Sequence, residues 1–107
     1  MIARMWFGRT GALDAEAYAD YLDRSGVAEL SSTPGNRGVF VLRRVDRGVA
    51  HFGVLSLWDS MEAVKAFAGQ RPEIARYFPQ DDEFLLEKTP TLEHWEIVTT
   101  PALAPTG

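Results

Sequence analysis

His51 is the residue of this chain best suited to moving a proton, because an imidazole titrates near neutrality and can accept the proton of a phenol at pH 7. With Asp46-Arg47-Gly48 read as a three-residue loop, Val45 pairs with Val49 and Arg43 stands directly across from His51. A guanidinium in that place would stabilise the phenolate left behind. Tyr77 adds a hydroxyl that could meet a bound oxygen, and Trp6, Trp58, Phe67 and Phe78 offer flat apolar walls for an aromatic ligand. His94 joins the candidate ligand contacts. Leu92 and Glu96 share its face of a strand, and a nearby carboxylate favours the imidazolium, a poorer base than His51. Each of these residues also has an ordinary structural alternative: a histidine at a sheet edge, a packing tyrosine, an aromatic core.

Other chemistries lack their residues. The chain has no Cys, which removes disulfides, thiolate metal sites and a cysteine nucleophile. It shows no G-x-S-x-G, H-E-x-x-H, P-loop or G-x-G-x-x-G pattern. His51 and His94 fall on strands separated by a third, about 9–10 Å apart, too far for one metal ion bound at about 2 Å from each ligand. Asp81, Asp82, Glu83 and Glu87 read as a solvated loop rather than a cation site. No metal and no cofactor is expected. A net charge of −4 disfavours a nucleic-acid partner, Arg43, Arg44 and Arg47 being the only local basic run. The N-terminus lacks a secretory pattern and no apolar stretch approaches the length of a membrane span, so a cytoplasmic protein is expected.

The elements that must position these residues follow from periodicity. Ile2 to Arg9 is apolar and aromatic and stops at Thr10-Gly11, which predicts a first strand. Asp14 is placed to cap a helix in which Tyr18, Tyr21 and Leu22 form one stripe, ending near Leu30 after the weak point at Gly26. Gly38–Val45 and Val49–Trp58 predict a hairpin. Asp59-Ser60-Met61-Glu62 opens a second helix, with Val64, Phe67 and Ala68 at helical spacing and Gly69 as the stop. Pro72 is expected to open a further helical turn through Tyr77, and Leu92–Val98 to form a last strand. Residues 99–107 read as a disordered tail after one domain over residues 1–98. The order predicts an α+β, ferredoxin-like split β-α-β-β-α-β fold with an antiparallel sheet.

Both faces of the expected hairpin carry large apolar residues, Phe40, Leu42, Phe52, Val54 and Trp58 on one and Val39, Val41 and Leu55 on the other. Two helices can cover only one face. A second copy of the chain is the simplest cover for the other, so a homodimer is expected.

The segment Val54-Leu55-Ser56-Leu57-Trp58-Asp59-Ser60-Met61-Glu62-Ala63-Val64-Lys65-Ala66-Phe67 resembles antibiotic-biosynthesis-monooxygenase-like proteins, in which a strand ends in Trp and a capped helix carries Phe or Trp. Pro34-Gly35 and the closing Glu93-His94-Trp95-Glu96 are similar to that family as well, so the likeness spans most of residues 2–98. The resemblance implies a dimeric α+β barrel and a cofactor-free monooxygenase acting on a small aromatic or polyketide-type phenol or quinol. Cyclisation or isomerisation of a polyketide-type intermediate, and a non-catalytic small-molecule-binding or stress-related dimer, stay open beside it. Haem-degrading members of the family carry an Asn on the first strand, a Trp on the second helix and a His beyond it. Here the first strand has no Asn, Phe67 replaces the Trp, and Arg76-Tyr77 stand where the His would fall.

Overall fold

A computed structural model of the chain describes residues 1–99. Four strands, β1 (Ile2–Gly11), β2 (Asn36–Asp46), β3 (Val49–Trp58) and β4 (Glu93–Glu96), form one antiparallel sheet in the order β2-β3-β1-β4. Three helices, α1 (Ala15–Leu22), α2 (Ala28–Ser31) and α3 (Met61–Ala68), pack on one face of it. This is the expected ferredoxin-like α+β arrangement. The expected tail lies, apart from Thr99, outside the described residues.

The local chemistry explains most element ends. Ser60 caps α3, its Oγ accepting from the Ala63 amide at 3.1 Å, and Gly69 ends the helix at φ +90°, a conformation other residues resist. The expected cap at Asp14 is not formed: a 3-10 turn, Ala12–Asp14, runs into α1 and the Asp14 side chain bonds no amide. Between α1 and α2 the helix widens into a π turn at Asp23–Val27. Ser25 Oγ donates back to the Tyr21 carbonyl at 2.6 Å, and Gly26 follows without a side chain to hold the tighter spiral.

Two further expectations fail. No helix forms from Pro72 to Tyr77, because the backbone there bonds across to the chain before β4 instead of to itself. Ala75 N donates to Pro90 O at 3.0 Å and Leu92 N to Glu73 O at 2.9 Å. A 3-10 turn at Pro79–Glu83 follows, tied by the Asp81 carboxylate to the Phe78 amide at 2.7 Å. The last strand is likewise shorter than Leu92–Val98.

The hairpin is the second. Arg47 (φ +52°) and Gly48 (φ +79°) both sit in the left-handed region, so the turn has two residues and Asp46 pairs with Val49. The register is therefore one residue away from the expected one. His51 faces Arg44, while Arg43 faces Phe52. A shift of one residue turns a side chain through to the other face of the sheet, so the proposed Arg43–His51 pair does not exist.

On the helix-covered face, Ala50, Phe52, Ser56 and Trp58 of β3 are buried under α1, α2 and α3. Tyr18 meets Phe52 edge-on at 5.1 Å and lies tilted against Phe84 at 5.3 Å. The opposite face carries no helix. There Phe7 (50% exposed), Phe40 (50%), Leu42 (47%) and Trp95 (60%) lie open.

Candidate functional site

A cavity of about 410 Å³ lies between the helix-covered face of the sheet and the helices, within the usual size of small-molecule sites. β1 contributes Arg4 and Trp6 to its floor, since residues at even positions of that strand point to the helices. α1 contributes Tyr18 and Tyr21, the π turn Ser25 and Gly26, and α3 Phe67. The irregular chain after Gly69 closes the remaining side with Arg76, Tyr77 and Phe78. The walls thus combine these aromatic rings with aliphatic residues such as Leu22, Leu30 and Val54, and the π turn bulges at the place where it borders the cavity.

Of the aromatic residues expected to contact a ligand, Trp6, Phe67 and Phe78 line this cavity and Trp58 does not. Trp58 is fully buried beneath, its Nε1 donating to Ser56 Oγ at 2.9 Å and its ring 5.5 Å from Phe67, which it supports. Tyr77 also lines the cavity, but its hydroxyl is already engaged. It accepts from Trp6 Nε1 at 3.0 Å and donates to the Thr89 carbonyl at 2.6 Å. The Tyr77 ring is a wall held at its hydroxyl by two bonds, with no proton free to give to a ligand. Tyr18 is similarly committed: its hydroxyl donates to Asp81 Oδ1 at 3.3 Å, and burial together with that carboxylate raises its pKa well above the ordinary phenol value.

The two histidines occupy opposite faces. His51 pairs in register with Arg9 and Arg44 and lies in a groove on the uncovered face, beside Phe7, Leu42 and Glu87. Arg43 is drawn to the other side, where Nη1 donates to Glu16 of α1 at 2.8 Å. His94 pairs in register with Arg4 on the cavity face. Its Nε2 is buried without a hydrogen-bond partner. Burial, and next the Arg4 charge, lower its pKa, against a smaller opposing pull from Glu73. This reverses the expectation from Glu96: the neighbour that counts is a cation across the strands, and the neutral imidazole, the basic form, is favoured.

Arg4 and Arg76 were not singled out from the sequence. Arg4 lies half-buried over the Phe67 ring, its guanidinium carbon 5.9 Å from the centroid, and its Nε is enclosed without a partner. Burial and then the charge of Arg76 lower its pKa. Arg76, at the mouth, donates from Nη2 to the Ala68 carbonyl at the end of α3, 2.9 Å away. A signal did exist, since Arg4 interrupts the apolar inward row Ile2, Trp6, Gly8 of an otherwise ordinary strand.

No group of three or more His, Asp or Glu side chains is gathered for a metal ion among the described residues. Haem fits the donors poorly. The cavity is lined by no histidine, the Tyr77 and Tyr18 hydroxyls are held by Thr89 and Asp81, and burial and then the Asp81 charge raise the Tyr21 pKa, against the phenolate that would ligate iron. Among the described residues no helix is long and apolar enough to cross a membrane.

No protein-family profile matches the sequence, and no curated protein matches it. Solved structures do. The haem-degrading protein MhuD of Mycobacterium tuberculosis, solved with two haems in its active site, is 19% identical, with TM-score 0.60 over 95% of this chain and 100% of that one. A candidate antibiotic biosynthesis monooxygenase from Bacillus cereus is 17% identical, with TM-score 0.57 over 98% of this chain and 96% of that one. At such identities the likeness concerns shape, and it establishes that this chain shares the ferredoxin-like α+β fold of these two proteins.

Proposed function

We propose that the chain is a cofactor-independent monooxygenase of a small aromatic phenol or quinol, bound between the sheet and the helices. The observation that carries the reading is the aromatic-walled cavity of about 410 Å³ on the face where His94 is kept neutral. The electron balance needs no external reductant: a hydroquinol and one dioxygen give a hydroxylated quinone and water, the substrate supplying all four electrons. The protein's part is then to bind the ring against Trp6 and Phe67, exclude water and accept a phenolic proton. His94, on the same face but outside the lining, is assigned the proton through one water, and Tyr77 holds the wall. His51 lies on the wrong face to share that cavity.

The likeness to a haem degrader and to a candidate antibiotic biosynthesis monooxygenase supports oxidation of a flat molecule at this site. The homodimer remains part of the proposal, supported by the open face with Phe7, Phe40, Leu42 and Trp95.

The test is oxygen uptake with a panel of phenols and quinols after chelation of metals. Turnover in the parent, a loss of about a hundredfold in His94→Ala and little change in His51→Ala are expected. Substrate conversion without oxygen uptake would instead identify a cyclase or isomerase using the same base. Binding with no conversion would leave a carrier. Hemin should give no sharp Soret band at one equivalent, and a tight stoichiometric complex would overturn the cofactor-free reading.

A further inference from the structure

Resting on that reading of the cavity, one feature of it is unexplained by a neutral ring. Two guanidinium groups, from Arg4 and Arg76, border the same space and no acid answers them. None of the ion pairs among the described residues includes either one. Asp81, the buried acid on the cavity wall, is spent on the Phe78 amide and the Tyr18 hydroxyl, and Glu29, the other acid of the lining, is exposed and pairs with neither arginine. Each arginine still has donors to give: Arg4 Nε is enclosed and unbonded, and Arg76 uses Nη2 on Ala68 O. Arg76 is exposed at the mouth, but Arg4 is half-buried with an enclosed Nε that lacks a partner, and a desolvated cation is costly unless an anion completes the site. Both arginines line the one cavity, and the Arg76 charge adds to burial in lowering the Arg4 pKa.

We infer that Arg4 and Arg76 form a clamp for a carboxylate borne on the aromatic ligand, so that the substrate class is an aryl carboxylic acid rather than a neutral phenol. The planar fork of arginine matches a carboxylate with two parallel N–H···O bonds. Phe67 supports the Arg4 guanidinium from below by a cation–π contact, which fixes the plane of the fork. The acid end enters beside Arg4 and the ring extends toward Trp6 and Tyr77, the aromatic part of the wall.

Calorimetric titration of the full chain with 2-naphthoate and with the neutral isostere 2-naphthamide tests the clamp. The acid should bind at least about tenfold more tightly than the amide, a charge-assisted pair being lost in the latter. Arg4→Met and Arg76→Met should each bring the acid down toward the amide, Arg4→Lys should recover part of the loss, and Arg24→Met, at the exposed Asp20 pair, should behave as the parent. Circular dichroism verifies that each variant is folded, and Arg76→Met carries the test if Arg4→Met is not. Equal affinity of acid and amide, or unchanged binding in both Met variants, overturns the inference while leaving an aromatic site. If neither naphthyl compound binds but succinate raises the melting temperature of the parent and not of Arg76→Met, the clamp stands and the aromatic reading falls. If no carboxylate binds at all, both fall.

Discussion

The two faces of one four-stranded sheet are built from similar apolar residues and end in different states. On the covered face, Ala50, Phe52, Ser56 and Trp58 are sealed under helices, and the titratable groups that remain, Arg4 and His94, are desolvated, with Arg4 lowering the pKa of His94 further. On the open face, Phe7, Phe40, Leu42 and Trp95 stand half-exposed beside His51, Arg9 and Arg44. Burial thus turns one histidine into a candidate base, whereas the other lies on a surface that calls for a partner. Residue type alone does not separate His51 from His94; the face does.

The sharpest way to test the contrast is to remove a tryptophan from each side. Trp58→Ala empties a fully buried site and should cost about 3–5 kcal/mol in urea unfolding, enough to threaten a domain of this size. Trp95→Ala, 60% exposed, should cost less than about 0.5 kcal/mol under conditions where the chain is monomeric.

The open face should fail differently. Sedimentation of the parent is expected to give twice the 11.9 kDa of one chain, and Leu42→Glu should return the single-chain mass with an unchanged circular dichroism spectrum. A parent that stays monomeric at micromolar concentration would remove the sheet-to-sheet dimer.

Helix starts allow a smaller comparison. Ser60→Ala should cost about 1 kcal/mol, since Oγ accepts from the Ala63 amide, whereas Asp14→Ala should be nearly silent because its carboxylate caps nothing. Equal costs at the two sites would contradict the capping geometry.

The smallest effect is a pH slope. His94 has its folded pKa below the ordinary value of about 6.5, so the unfolded chain takes up a proton that the fold disfavours. The stability from the neutral ring is present above about pH 6.5 and is lost as pH falls through the folded value. The groups facing the ring are Arg4, which depresses its pKa, and Glu73, which opposes. Urea midpoints between pH 7.5 and 5 should therefore fall less in His94→Leu than in the parent.

Much of the fold is legible because it rests on short-range rules. The Ser60 cap and Gly69 stop bracket α3 where the periodicity places it, and Val49–Trp58 alternates strongly enough to be read as β3 to the residue. The stripe Tyr18, Tyr21, Leu22 is buried as its spacing demands. The candidate site is less legible. Of the aromatic wall expected from Trp6, Trp58, Phe67 and Phe78, all but Trp58 line the cavity, but Arg4 and Arg76 lie in different segments and meet only when the chain after Gly69 folds back over β1. The Tyr77 hydroxyl was read as available because nothing local reveals that Trp6 and Thr89 will occupy it.

What the sequence by itself determined is the order of elements and the presence of apolar residues on both sides of the sheet, since periodicity and caps act within a few residues. Only the tertiary structure decided which charged residues belong to which side. The cause is the two-residue turn at Arg47-Gly48: both residues adopt positive φ, and the register moves by one from the three-residue alternative. Because side chains alternate with a period of two, that single step sends Arg43 to Glu16 and leaves His51 with Arg44. Long-range pairing decided the rest, since the bonds of Glu73 and Ala75 to the segment before β4 replaced a helical turn and brought Arg76 to the cavity that Arg4 enters from the sheet.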